Sequence, residues 1–127
     1  MSVMINIDVP DLQKALALRR RFGESGVELA GWPVPVFLLR KEAGSVGAGE
    51  HRRAYERHWT PVHLDVVVDE VEEAIELAIK AGAVLEQGVR TAVWGKIAML
   101  ADPFGHGLCL IQFLNRGYDE IAETGET

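Results

Sequence analysis

The sequence predicts a single α+β domain made of two βαβββ modules. One observation is the order of elements between Thr60 and Gln112, where a strand, a helix and three further strands follow one another. Another is an internal echo, because the strand-to-helix junction at residues 5–12 resembles the junction at residues 64–71. The 127 residues, 48% of them hydrophobic, are enough for one domain with a buried core.

Module one is expected at about residues 3–45. β-Branched residues predict a strand from Val3 to Val9, and Asp11 is placed to cap a helix. That helix, from Leu12 to about Leu18, is short and depends on tertiary packing. Two more strands, separated by a turn at residues 31–33, are predicted at residues 27–30 and 34–41.

Residues 43–57 are predicted to form a long irregular loop. Gly44, Gly47 and Gly49 make its first part flexible, and a charged segment follows them. A loop of this length in a compact domain is either a lid over a pocket or a linker. Both interpretations remain open from the sequence.

Module two, at about residues 60–113, contains the most strongly predicted helix. Asp69 and Glu72 have the spacing of a capping box for a helix over residues 70–81. Gly82 is suited to end that helix, since glycine tolerates a positive φ. Strands are predicted at residues 62–68, 84–90, 93–101 and 108–113, with a tight turn at 102–105 and a polar, acidic tail at 114–127.

Composition and charge exclude several classes of function. A net charge of −6 and a pI near 5.2 argue against a nucleic-acid partner, which favours basic surfaces. The one basic run, residues 19–21, is expected to be a solvated strand or helix end. No apolar run approaches the ~20 residues of a membrane helix, and no signal peptide is visible. Cys109 is the only cysteine, which suits a reducing, cytoplasmic location.

The second half resembles the vicinal oxygen chelate superfamily, which includes glyoxalase I, bleomycin-resistance proteins and extradiol dioxygenases. The resemblance rests on His63 at the start of a strand that leads to Asp69, on the helix stop at residues 81–83, and on the run from Asp102 to Ile111. It implies that the two modules form a cleft, with a first helix shorter than that of the family. It also implies a small-molecule ligand and a homodimer.

Metal-binding members of this superfamily use four strand positions, two in each module, occupied by His, Glu or Gln. The resemblance assigns these positions to Met4, Phe37 or a neighbour, His63 and Cys109. Because Met and Phe do not hold a hard cation, no metal cofactor is expected, and any metal would use His63. His63 and Cys109 leave three interpretations: two zinc ligands, a base beside a thiolate nucleophile, or a hydrogen-bonded histidine beside a buried cysteine.

Strand alternation places His63 and Asp65 on the face turned away from the helix, while residues 64 and 66 face it. We expect His63, Asp65 and Cys109 to be the catalytic residues, with Asp65 fixing the histidine tautomer or sharing its proton. Other side chains offer flat apolar surface or positive charge to a ligand. These candidate ligand-binding residues are Trp59, Trp94, Arg90, Lys96 and His106.

Two functions remain open, and the sequence leaves undecided whether the protein is an enzyme. One is an atypical or metal-independent lyase or isomerase that uses His63 with Asp65 and Cys109. The other is a non-catalytic protein of the bleomycin-resistance type that sequesters an aromatic or cationic drug. The acidic net charge, Trp59 and Trp94 suit the second function, and the fold does not decide between them.

Overall fold

A computed structural model describes residues 1–13 and 18–123 of the protein. The chain divides into two compact units, Met1–Glu56 and Arg57–Thr127. Each unit holds a four-stranded sheet in which its first strand pairs in parallel with its last, and the remaining pairs are antiparallel. The same strand order in both units confirms the architecture that the internal echo predicts.

Unit one is a sheet of four short strands followed by a small hairpin. In the order along the sheet, the first strand of the chain lies at one edge and the second at the other. The strands are β1 (Ile5–Val9), β2 (Leu18–Phe22), β3 (Gly26–Leu29) and β4 (Val36–Arg40), with β5 (Val46–Ala48) and β6 (His51–Arg52) in the hairpin.

The predicted first helix is not found in the part of the chain that the structure describes. Leu12 and Gln13 are not helical, and Leu18 already begins β2. Residues 14–17, the rest of the predicted helix, lie outside the described residues. The basic run belongs to β2, where Arg20 forms an ion pair with the buried Glu28 at 2.8 Å. Charge pairing with the neighbouring strand therefore explains why a basic run is accommodated in this sheet.

Residues 43–57 are more ordered than predicted. Arg53 ties the β5–β6 hairpin to β1, because its Nε lies 2.7 Å from Oδ2 of Asp8 and its Nη1 donates to the carbonyl of Val46. The Tyr55 hydroxyl donates to the carbonyl of Lys41 at 2.6 Å. Up to Glu56 the segment is therefore a folded part of unit one rather than an irregular loop.

Unit two is a sheet with a helix on one face. Its strand order along the sheet is first, last, third, second, so the last strand is central. No helix among the described residues is long and apolar enough to cross a membrane. The elements are β7 (Leu64–Val67), α1 (Val71–Lys80), β8 (Val84–Ala92), β9 (Gly95–Ala101), β10 (Gly107–Phe113) and a short 3-10 helix (Gly117–Glu120).

The core of unit two forms where α1 packs on the sheet. Val71 and Ile75 of the helix contact Leu100 of β9 and Leu110 of β10, and Leu100 is completely buried. Val66 of β7 packs against the same cluster, as strand alternation predicts. The apolar stripe of α1 thus covers one face of the sheet and leaves Asp65 and Cys109 to the other.

The start of α1 differs from the predicted capping box. Glu70 is the N-cap residue and its side chain makes no capping bond, while Glu72 instead pairs with Lys96 at 3.3 Å. The Val71 N–H donates to Oε1 of Gln112 on β10 at 3.0 Å. A tertiary contact therefore replaces the local cap, whereas the predicted helix stop at Gly82, with φ of 107°, is confirmed.

Removal of the Gln112 acceptor should destabilise the unit, because the Val71 N–H would lose its partner. We expect Gln112→Ala to lower the free energy of unfolding by about 1 kcal/mol, measured by urea denaturation with circular dichroism. Gln112→Glu keeps an acceptor oxygen and is the matched control. Equal losses in the two variants would contradict this role for the side chain.

Candidate functional site

The first and last strands of unit two, with the residue just before the first, bring three titratable side chains together. β7 and β10 pair in parallel, with Asp65 opposite Cys109. His63 lies two residues before Asp65, and alternate residues of an extended chain share a face. The ligand-type atoms of His63, Asp65 and Cys109 all lie within 4.8 Å of one another. We call this group the His63–Asp65–Cys109 cluster.

Asp65 orients the imidazole of His63. Nδ1 of His63 lies 2.9 Å from Oδ1 of Asp65, and both side chains are about one-third exposed. In a neutral imidazole this bond requires the proton on Nδ1, which leaves Nε2 as an acceptor. A positioned imidazole whose Nε2 can accept a proton is the arrangement that general-base catalysis requires.

Cys109 forms the buried floor of the cluster, with 3% of its surface exposed. Burial, the charge of Asp65 and a hydrogen bond to Asp65 raise the pKa of the thiol to about 11. The thiol is therefore protonated at neutral pH and donates to the carboxylate. This argues against a thiolate nucleophile and favours a structural role in which Cys109 holds Asp65 in place.

Trp59 covers the ring of His63. The two ring centroids are 4.6 Å apart and the planes are tilted by 33°. The indole also lies on Gly107, where an added Cβ would come within 2.6 Å of a Trp59 ring carbon. With 45% of its surface exposed, Trp59 still presents a flat apolar wall beside the histidine.

The residues just before Trp59 are held in place by contacts with β8 and with the turn before β10. Arg57 binds the carboxylate of Glu86 on β8 through two nitrogens, and its Nε lies 2.6 Å from the carboxylate. The His58 N–H donates to the carbonyl of Gly105, and the His58 and His106 rings approach to 3.3 Å between nitrogens. These anchors were missed because their partners are distant in sequence.

Of the other predicted ligand-binding residues, His106, Lys96 and Arg90 have their own positions in unit two. His106 belongs to the anchor of Trp59 through its contact with His58. Lys96 pairs with Glu72 on the helix side of the sheet, away from the cluster. Arg90 lies on β8, the outer strand of the sheet.

Trp94 belongs to a separate aromatic group. Its ring lies 5.1 Å from Tyr118 and 6.4 Å from Phe113, centroid to centroid. Phe113 ends β10, whereas Gly107 beneath Trp59 begins that strand. At about 3.3 Å per residue, the two aromatic sites are roughly 20 Å apart. Trp94 and Lys96 therefore do not join Trp59 at the cluster.

The residues do not fit the metal site that the resemblance implies. Met4 and Phe37 offer no oxygen or nitrogen donor, and the Phe37 ring packs near Phe22 with centroids 6.0 Å apart. The Cys109 thiol is a soft sulfur donor, which suits zinc better than a hard cation. Met4 and Phe37 therefore supply no side-chain donor to a hard divalent cation, whereas His63, Asp65 and Cys109 offer one nitrogen, one oxygen and one sulfur atom within 4.8 Å of one another.

Comparison with known proteins agrees with the observed architecture. A family model described as a glyoxalase-like domain matches residues 4–111. A glyoxalase/bleomycin resistance protein/dioxygenase family enzyme from Burkholderia phytofirmans PsJN is 17% identical, with a TM-score of 0.64 over 87% of this chain and 97% of that one. No curated protein matches the sequence.

Two further solved structures share the fold. A lactoylglutathione lyase from Agrobacterium tumefaciens is 13% identical, with a TM-score of 0.58 over 88% of this chain and 92% of that one. A genomically encoded fosfomycin resistance protein from Listeria monocytogenes is 18% identical, with a TM-score of 0.61 over 88% of this chain and 92% of that one. At such identities the similarity establishes the fold, and it confirms the predicted fold class.

Substitution of Gly107 should displace Trp59, since a Cβ would meet the indole at 2.6 Å. We expect Gly107→Ala to shift the tryptophan emission to longer wavelength as Trp59 becomes more exposed. Gly88→Ala is the matched control, because a Cβ there meets nothing within 4 Å. A shift that persists when Trp59→Phe is combined with Gly107→Ala would contradict this assignment.

The state of Cys109 can be measured by its alkylation rate with iodoacetamide at pH 8. Because its pKa is near 11 in the folded protein, we expect slow alkylation compared with the urea-unfolded chain. Asp65→Asn removes the charge that raises this pKa and should accelerate the reaction, whereas Asp69→Asn should not. Equal rates in both variants would contradict the coupling of Cys109 to Asp65.

The raised pKa of Cys109 also makes the free energy of unfolding depend on pH. The ordinary thiol pKa is 9.0, so any stability from the neutral thiol is complete below that pH and is lost as pH rises through about 11.

Proposed function

Because the chain belongs to the glyoxalase-like domain family, within the superfamily that its sequence resembles, we propose that it is a metal-independent lyase or isomerase acting on a small molecule. The hydrogen bond of 2.9 Å between His63 and Asp65 carries this proposal. This hydrogen bond orients the His63 imidazole as a base, and it needs no metal ion to do so. Proteins with this fold include a lactoylglutathione lyase and a fosfomycin resistance protein.

The proposed chemistry is proton transfer at a carbon atom next to a carbonyl group. Nε2 of His63 takes the proton, and the negative charge of Asp65 stabilises the resulting imidazolium. Return of the proton to a neighbouring atom gives an isomerase, and loss of a leaving group from the adjacent carbon gives a lyase. The Cys109 thiol takes no part in bond making and holds the Asp65 carboxylate.

The shape beside the base suggests the kind of substrate. The exposed part of Trp59 adjoins His63 and suits an apolar or aromatic group next to the reacting carbon. No cofactor is proposed. Because Cys109 is the only cysteine, the chain has no intramolecular disulfide, and we propose a reducing, cytoplasmic location on that ground.

The alternative function is sequestration of an aromatic or cationic compound without turnover. The favouring observation is the 45% exposure of Trp59, whose ring could stack on a planar ligand. In that case His63 would serve as a hydrogen-bonding wall. Binding would then depend on Trp59 and would tolerate a change of His63 to another polar residue.

Hydrogen–deuterium exchange separates the two functions. A panel of small aldehydes, ketones and hydroxyketones in D₂O would be followed by proton NMR, in parallel samples with and without EDTA. We expect exchange at a carbon next to the carbonyl, and His63→Gln should slow it by about 10²–10⁴-fold. Asp65→Asn should also slow it, whereas Cys109→Ser, which keeps a donor to Asp65, should change it only a few-fold.

Two results would count against the enzymatic proposal. One is exchange that EDTA abolishes, because the base would then depend on a metal. The other is a pair of observations. Planar cationic dyes bind in a thermal-shift assay only when Trp59 is present, and no compound of the panel exchanges hydrogen for deuterium. The second result would favour sequestration.

A further inference from the structure

A pocket in unit one brings charged side chains of both signs together. Its volume is about 280 Å³, close to the lower end of the range for small-molecule sites, about 300–1,000 Å³. It lies beside the end of β1 and the turn between β2 and β3. The charged residues that line it are Asp11, Arg21, Glu24 and Arg40, and the buried Leu12 contributes apolar surface.

The two arginines lie on the same face of the sheet. Arg21 of β2 is opposite Val27 of β3, and Val27 is opposite Leu38 of β4. Arg40 follows Leu38 by two residues, so strand alternation places it on that face as well. Val27 is completely buried, whereas Arg21 and Arg40 are exposed. The two arginines therefore lie at the rim of the buried face of this sheet.

One turn fixes the directions of both guanidinium groups. The turn between β2 and β3 is closed by a backbone hydrogen bond of 3.1 Å. Nη1 of Arg21 donates to the carbonyl of Gly23 at 3.4 Å, and Nε of Arg40 donates to the carbonyl of Glu24 at 3.2 Å. Because these carbonyl groups belong to adjacent residues, the two guanidinium groups meet at one turn. Each still has N–H donors that the turn does not use.

The positive charges of the pocket are not neutralised by acidic residues. Among residues 1–13 and 18–123, neither Arg21 nor Arg40 forms an ion pair, although the chain has 19 acidic residues. Two guanidinium groups without carboxylate partners can bind an anionic group through charge-assisted hydrogen bonds. By contrast, other arginines of the chain each bind a carboxylate, namely Arg20, Arg53, Arg57 and Arg116.

The two carboxylates of the pocket select against a simple anion. Oδ1 of Asp11 accepts from the N–H of Gln13 at 2.8 Å, and within the described part of the chain Glu24 has no cationic partner. Both negative charges would repel a phosphate or sulfate ion. A small molecule that carries one negative and one positive group matches both halves of the lining.

We propose that this pocket binds a free α-amino acid. The ligand carboxylate accepts hydrogen bonds from Arg21 and Arg40, and the ligand ammonium group faces Asp11 and Glu24. Leu12, with 5% of its surface exposed, supplies apolar surface beside the ligand side chain. The volume of the pocket limits that side chain to a small one. Unit one forms this site alone, and binding there requires no part of the proton transfer proposed for unit two.

Isothermal titration calorimetry of the full-length chain tests the proposal with glycine, L-alanine, L-valine and L-leucine. We expect at least one of them to bind with a Kd of about 1 mM or lower. The N-acetyl derivative and the amide of that amino acid each lack one charge, and each should bind roughly tenfold more weakly or worse. Inorganic phosphate that binds as tightly as the amino acid would overturn the assignment of a zwitterionic ligand.

Substitutions locate the binding to the pocket. Arg21→Gln and Arg40→Gln should each weaken binding roughly tenfold or more, because each removes a charged donor. Asp11→Asn should also weaken it, and the asparagine keeps an oxygen that can accept from Gln13. Arg90→Gln removes the same charge from the exposed strand β8 and is the matched control. Circular dichroism establishes that each variant is folded.

Three further results would overturn the proposal. One is the absence of binding by all four amino acids, and another is an equal loss of affinity in Arg21→Gln and Arg90→Gln. The third is binding that is lost in His63→Gln, because the ligand would then occupy the His63–Asp65–Cys109 cluster. We expect His63→Gln to bind the amino acid normally while it loses hydrogen–deuterium exchange. The two proposals therefore fail independently.

Discussion

The parallel pairing of β7 with β10 determines the arrangement of unit two. Two parallel neighbours cannot be joined by a tight turn, so the chain must cross over the sheet, and it does so through α1. The helix covers one face of both strands, and the alternate residues of β7 and β10 are left on the opposite face. Asp65 and Cys109 meet because they are opposed in this register, and His63 joins them from just before β7.

The corresponding strands of unit one show that this geometry does not specify chemistry. β1 and β4 also pair in parallel, with Asn6 opposite Phe37 and Asp8 opposite Leu39. Phe37 there takes part in aromatic packing, and the carboxylate of Asp8 is bound by Arg53, which secures the hairpin. One backbone arrangement therefore serves a reactive cluster in unit two and local packing in unit one.

Local sequence signals predicted the elements of unit two well, because helical and strand periodicities report directly on which face is buried. The meeting of His63, Asp65 and Cys109 could be anticipated from alternation together with the family resemblance. The way in which α1 begins could not be predicted. The side chain that accepts a hydrogen bond from the Val71 N–H belongs to Gln112, which lies 41 residues away in the chain. The contacts of Lys96 and Trp94 could not be predicted for a similar reason: their partners, Glu72 and Tyr118, belong to other elements and are not neighbours in sequence.

The protonated state of Cys109 has a consequence for oxidative damage. Peroxide attacks the thiolate, and it attacks exposed cysteines faster than buried ones. A thiol with 3% exposure and a pKa near 11 is therefore a poor target, and the chain has no second cysteine with which to form an intramolecular disulfide. Since the charge of Asp65 helps to keep the thiol protonated, the carboxylate that orients His63 also protects its own hydrogen-bond donor. The cluster should consequently keep its hydrogen bonds during oxidative stress, when thiolate-dependent sites are lost.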